Sequence, residues 1–211
     1  MGFANDTLKH GTPESVGLLA EPLQLMVKNV SAYTKPAYYA IYSSYEIHPI
    51  QPGGVVLVGH DSTVVSEFAF GKASKYADAN GTQLPQDQQT PATISTIYDM
   101  ASLTKVFTAM VALKYFEGGM LDYTKTVATY MPEFAANGKE NVTVLMLFTH
   151  TSGFPPDPEP GLNQYTSVGQ RRKVAIEYPL QDAAGSTYTY SDLNFINMGF
   201  LLEVRFMSTL F

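Results

Sequence analysis

Ser102 and Lys105 stand three residues apart at the start of an apolar stretch, Asp99–Phe116, DMASLTKVFTAMVALKYF. On a helix, side chains at i and i+3 lie one turn apart on the same face, so the Lys105 amine can reach the Ser102 hydroxyl. A serine hydroxyl is a poor nucleophile until a base takes its proton. A lysine near its ordinary pKa of about 10.4 is protonated and cannot do so. The expected remedy is burial, helped by the positive end of the helix dipole, which together disfavour the ammonium and favour negative charge on the serine oxygen. The following residues, Val106, Phe107, Ala109–Leu113, Tyr115 and Phe116, are apolar on nearly every face and predict a helix buried all round. Ser-x-x-Lys alone is weak, since the pair arises about once by chance in a chain of this length. The surrounding segments have to support it.

Several of them do, in order. Ala101 precedes Ser102-Leu103-Thr104-Lys105; Glu117–Asp122 reads EGGMLD; Tyr130–Phe134 reads YMPEF; Val142–Phe154 reads VTVLMLFTHTSGF; and Tyr190-Ser191-Asp192 is followed by Leu193-Asn194-Phe195. This series resembles the serine beta-lactamase and penicillin-binding-protein superfamily, within it the branch of class C beta-lactamases, esterases and D-peptidases. The resemblance covers roughly residues 12 to 203. It implies an α/β (α+β) fold of the beta-lactamase/transpeptidase type, helices packed on an antiparallel sheet. It also implies an acyl-enzyme mechanism with Ser102 as nucleophile, Lys105 as base and Tyr190 as proton relay. A phenol hydrogen-bonded to Lys105 could carry a proton from Ser102 towards the leaving group; Tyr188 is the nearest competitor for that role. Asp192 occupies a substrate-binding position where the branch more usually has Asn, and its charge near Lys105 favours the protonated amine. His150 sits in the Thr-His-Thr-Ser-Gly loop and is read as a local hydrogen-bonding residue, since the family's chemistry does not require it.

Length and composition narrow the possibilities. The 211 residues suffice for one sizeable domain burying about 70% of its unfolded surface. We expect a single, incomplete beta-lactamase-like domain, with residues of about 120–185 forming a helical region beside the pocket. The net charge of −6 and the absence of any basic run longer than Arg171-Arg172-Lys173 argue against nucleic acid as a partner. There is no cysteine, hence no disulfide and no cysteine-based metal site. No metal or organic cofactor is implied, no apolar run reaches membrane-spanning length, and a small acyl compound is the expected partner. Oligomeric state is left open. The start, MGFANDTLKH, has no signal-peptide pattern and points by default to the cytoplasm, whereas sequons at Asn5, Asn29, Asn80 and Asn141 point to secretion.

The elements expected to position these residues are as follows. Residues 1–12 are polar and expected to fray, a helix is expected over Ser15–Ala32, and a mixed Pro and Tyr stretch runs on to Pro52. Val55–His60 and Thr63–Phe70, separated by Asp61-Ser62, predict a hairpin, and residues 71–94 a surface loop. Asp122 is expected to cap a helix over Tyr123–Met131, and Thr143 a short helix before His150. The superfamily's later strands, one carrying a Lys-Thr-Gly or His-x-Gly-like motif, have no counterpart in the sequence. Val204–Phe211, VRFMSTLF, is expected to be a tail foreign to the family. The C-terminal strands are thus expected to be missing, through truncation or a gene reading past an exon end. The alternative expectation is then a catalytically impaired remnant that binds a ligand or has no function.

Overall fold

The computed structural model describes residues 8–37 and 49–208. Asn5, residues 38–48 of the Pro- and Tyr-rich stretch and residues 209–211 lie outside them. The chain divides into two compact units, residues 1–98 and residues 99–211.

Among the described residues, the first unit holds a small sheet and one α-helix. Strands β2 (Gly53–His60) and β3 (Thr63–Ser74) form the expected antiparallel hairpin, with His60 opposite Thr63. Asp61 and Ser62 both take positive φ, 47° and 62°. A two-residue turn with both central residues left-handed has the twist that suits a hairpin. Strand β1 (Lys9–His10) pairs in parallel with Thr63 and Val64, so this part of the polar N-terminal segment is held in the sheet instead of fraying. Helix α1 (Ala20–Ala32) starts later than expected. Residues Pro13–Val16 form a separate 3-10 turn that Gly17 ends at φ 78°. Within the expected loop, β3 continues to Ser74 and pairs with β4 (Thr90–Pro91).

The second unit carries the buried core and the remaining helices, α2 (Thr104–Glu117), α3 (Val144–Phe148), α4 (Val168–Glu177) and α5 (Asp192–Ser208). Thr143 caps α3 by accepting from Met146 N–H at 3.2 Å, as its sequence position predicts. Ser167 and Gln170 close a capping box on α4. The core runs from Ala112 through Leu121, Met131, Phe134, Leu147 and Phe154 to Leu193, Met198 and Leu201 of α5, all at most 3% exposed. Phe134 and Phe154 meet edge to face at 6.0 Å, a geometry worth about 0.5–1.5 kcal/mol beyond the area buried.

Two expectations for this unit change. Tyr123–Met131 is no continuous helix. Thr126 bridges to Thr143, and Val127 N–H donates to Val142 O at 2.9 Å, so only Val127–Thr129 makes a helical turn. Asp122 instead closes a turn, accepting from Thr124 N–H at 2.8 Å. The second change concerns α2, which is not buried all round. Ala112 is its one fully buried residue, while Val106, Phe107, Met110 and Leu113 are more than half exposed. A helix apolar on every face needs cover on every face, and within its unit α2 packs on one side, against α5. Helix α5 continues past Glu203, where the sequence was expected to leave the family pattern, to Ser208. No helix among the described residues is long and apolar enough to cross a membrane.

Lys139 is fully buried, and among the described residues no carboxylate is in salt-bridge contact with it. Its ammonium donates to Ala136 O at 2.5 Å and Tyr178 O at 2.9 Å, joining the Pro132–Ala135 turn to the end of α4. Burial pushes its pKa down from 10.5 to about 8, against an opposing pull from Glu177. The unfolded chain therefore holds this proton up to about pH 10.5, the folded one only to about pH 8. Stability should rise as pH goes from 8 to 10.5, by at most about 3 kcal/mol. Urea unfolding across this range should show the rise in the parent and lose it in Lys139→Met.

Candidate active site

Ser102 lies in a 3-10 turn, Ala101–Leu103, that leads directly into α2. Ala101 holds φ 43°, a left-handed conformation that costs a non-glycine residue roughly 1–2 kcal/mol. Its N–H donates to Asp99 Oδ1 at 2.7 Å, which stabilises the bend from the preceding side. The bend presents Ser102 on the surface with Lys105 one turn further on, and Lys105 Nζ donates to Ser102 Oγ at 3.1 Å. The three-residue spacing therefore makes the contact it predicts.

Tyr190 and Asp192 arrive from 85 and more residues away on a segment fixed at several points. Thr189 N–H donates to His150 O at 2.8 Å, Ser191 N–H to His150 Nδ1 at 3.1 Å, and Asp192 N–H to Pro156 O at 3.0 Å. Behind them the buried Asn194 donates through Nδ2 to the same Nδ1 at 3.0 Å and accepts at Oδ1 from Ser152 Oγ at 2.6 Å. Gly153 completes the loop at φ 93°, where a Cβ would come within 2.2 Å of Asp182 O; only glycine fits there. The Thr-His-Thr-Ser-Gly stretch is thus the anchor of the second half of the site. Motif spacing gave no sign of how many bonds His150 would make.

Asp192, in the first turn of α5, accepts from Lys105 Nζ at 2.6 Å. The amine also lies 4.8 Å from the centre of the Tyr190 ring. Ser102, Lys105, Tyr190 and Asp192 are therefore together. Tyr188 does not join them: it is two-thirds exposed and touches the edge of His150 at a ring separation of 6.1 Å.

The charges differ from the expected neutral lysine. Partial burial alone would push the Lys105 ammonium down, but hydrogen bonding to Asp192 and then Tyr190, with the attraction of the Asp192 carboxylate, outweighs it and raises its pKa above 10.5. At neutral pH Lys105 is a cation that donates and cannot accept. Tyr190 moves the other way, its phenol drawn below the ordinary value by hydrogen bonding with Lys105 first and Ser102 second. His150 is held below its ordinary value by burial and then by the Lys105 charge, against a partial pull from Asp192. Among the described residues no group of His, Asp and Glu is placed to hold a metal ion.

An open cleft of about 190 Å³ runs beside the pair, lined by Ala101, Lys105, Asp192, Phe195 and Ile196 among others. A second of about 280 Å³ shares Asp192 and Ile196 and is bordered by Asp157–Asn163, within the segment expected beside the pocket.

The beta-lactamase family model matches residues 44–208. The chain belongs to the beta-lactamase family. A D-alanyl-D-alanine carboxypeptidase-like protein of Escherichia coli (strain K12) is 30% identical over 93% of this chain, and one of Salmonella agona is 31% identical over 70%. This chain spans 44% and 36% of their respective lengths. Among solved structures, a class C beta-lactamase superposes with a TM-score of 0.59 at 26% identity, covering 74% of this chain and 39% of that one. A class C beta-lactamase of Rhodobacter sphaeroides gives 0.56 at 25% identity, over 74% and 40%. The mixed α/β fold and the family expected from the sequence both hold, and the homologues are serine hydrolases.

The family's more usual Asn at position 192 supplies a direct check on the charge assignment. In Asp192→Asn the amine keeps a hydrogen-bond acceptor and loses its counter-charge, so Lys105 should titrate at lower pH than in the parent. Nitrogen-15 NMR of the lysine side chains, followed through alkaline pH, measures this. An unchanged Lys105 titration would mean that the ion pair does not hold the charge.

Proposed function

We propose that this chain carries the acyl-transfer centre of a serine hydrolase that forms an acyl-enzyme on Ser102 with esters, amides or lactams. The observation that carries this reading is the contact of the Ser102 hydroxyl with Lys105, with Tyr190 and Asp192 closing on the same amine. Since Lys105 is protonated, the proton acceptor is Tyr190. Its lowered pKa gives it more phenolate at a given pH than a free tyrosine has. Ser102 Oγ attacks the acyl carbonyl as its proton passes to the Tyr190 phenolate oxygen. The phenol returns that proton to the departing alcohol or amine, leaving the acyl group on Ser102. Water then attacks the acyl group as Tyr190 takes its proton, and the phenol returns that proton to the departing Ser102 Oγ, releasing the acid and restoring the serine hydroxyl. Lys105 contributes charge: it favours the phenolate and the developing negative charge on the serine oxygen. Asp192 holds the ammonium in place.

Intact mass after incubation with a fluorophosphonate tests this. The parent should gain one adduct and Ser102→Ala none; Tyr190→Phe should label some 10²–10⁴ times more slowly, the usual contribution of a positioned acid–base group. An adduct that persists in Ser102→Ala, or folded parent that takes none, would overturn the assignment. The latter result would favour a remnant without catalysis.

A further inference from the structure

His150 has more constraints on it than a loop histidine needs. It is 8% exposed and holds φ 55°. Two donors, Ser191 N–H and Asn194 Nδ2, converge on its Nδ1 at 3.1 and 3.0 Å. The backbone Ser191 N–H can only donate, so Nδ1 accepts, and the Asn194 NH2 group, also donor-only, donates to the same nitrogen while its oxygen accepts from Ser152 Oγ at 2.6 Å. A ring nitrogen facing two donors must be unprotonated, which places the imidazole proton on Nε2. The ring also lies between two others, 4.5 Å from Tyr190 at 31° and 5.3 Å from Phe195 at 37°. Tyr190 in turn lies 4.8 Å, ring centre to Nζ, from Lys105.

We propose that His150 is a positioning residue for the acyl-transfer centre: as a neutral Nε2–H imidazole it supports the Tyr190 ring and anchors the Ser191–Asp192 backbone, setting both against Lys105. The proposal rests on the acyl-transfer reading above and adds a residue that touches no reacting atom. Protonation would break the arrangement. A proton on Nδ1 would meet the Ser191 and Asn194 donors head-on, and the imidazolium would add a second cation near Lys105. The charged or titratable groups that face His150 are Lys105 from α2, Asp192 from the start of α5, and Tyr188 and Tyr190 from the segment between; of the two ions, only Asp192 would favour the imidazolium. Acyl transfer should therefore fail on the acid side as His150 takes up its proton, below the ordinary histidine range.

Two measurements on the full chain test this. Long-range ¹H–¹⁵N NMR of the histidine rings, with His150 assigned by its loss in His150→Asn, should show the neutral Nε2–H form at pH 7 and protonation below pH 6.5. The Nδ1–H tautomer would overturn the proposal whatever the activity. The second is the pH dependence of fluorophosphonate labelling at Ser102. Asparagine tolerates the left-handed backbone and can offer its side-chain oxygen to Ser191 N–H, but it does not titrate. His150→Asn should therefore label within about tenfold of the parent at neutral pH, keep the gradual fall that protonation of Tyr190 imposes on both proteins, and lose the steeper acid limb that a second, His150 proton adds in the parent. His150→Phe keeps the stacked ring without the acceptor and should label 10–100 times more slowly at neutral pH, with circular dichroism and thermal melting confirming that it folds. A steep acid limb unchanged in His150→Asn, or labelling by folded His150→Phe equal to the parent's, would overturn the inference while leaving Ser102 as nucleophile. A folded parent that fails to label at any pH would remove the acyl-transfer reading, and the positioning role with it.

Discussion

The 2.6 Å ion pair between Lys105 and Asp192 is the constraint on which the site depends, since it joins the first turn of α2 to the first turn of α5 across 87 residues of chain. Each partner sits at the positive end of a helix dipole. That position disfavours the lysine and favours the aspartate, by a few tenths of a kcal/mol to about 1 kcal/mol each. A lysine at a helix start with one face buried would be pushed towards neutrality. Placing the carboxylate against it reverses the outcome and leaves a fixed cation beside the serine hydroxyl. The division of labour follows: the amine supplies charge and the phenol takes the proton.

The pair alone could not hold Tyr190 in place. Asp192 is half-exposed, and a half-exposed ion pair gains little in water. Geometry comes instead from the neutral network beneath, Ser152 to Asn194 to His150 to the Ser191 backbone, whose members are all buried. Buried polar groups with partners fix one arrangement, because every alternative leaves a donor or acceptor unsatisfied. The site thus separates two tasks. Exposed charges at the surface tune proton affinities, and a neutral buried network sets positions. Ser191 Oγ and Asn197 Oδ1, buried without a partner, are the two places among the described residues where this satisfaction is incomplete.

What could be read in the sequence follows the range of the forces involved. The hairpin was legible because its turn and strand propensities are local, and so was the Thr143 cap. The Ser102–Lys105 contact was legible because helical spacing alone dictates it. Asp192 stands out through its departure from the usual Asn, and its effect on the lysine follows from charge alone. The Tyr123–Met131 helix that local pattern predicts does not form because its backbone is claimed by Val142 and Thr143, a pairing no local signal announces. The role of His150 is hidden for a related reason: its ring is bonded not locally, as the loop pattern suggests, but to Ser191 and Asn194, 41 and 44 residues away.

Helix α2 shows where the pattern of apolar residues and the needs of the site come apart. Its sequence predicts burial on all faces, and burial was the expected means of discharging Lys105. Yet Val106, Phe107 and Met110 are more than half exposed while the Lys105 side chain itself is only 15% exposed. The lysine is shielded by its polar neighbours from the 190–192 segment, not by the apolar face of its own helix. Those neighbours carry the charge and the hydrogen-bonding groups that raise its proton affinity, so the shielding that was expected to neutralise the amine comes with contacts that keep it charged. Burial by hydrocarbon and burial by a carboxylate and a phenol therefore have opposite effects on the same side chain, and which surface covers Lys105 decides whether it acts as a base or as a fixed cation.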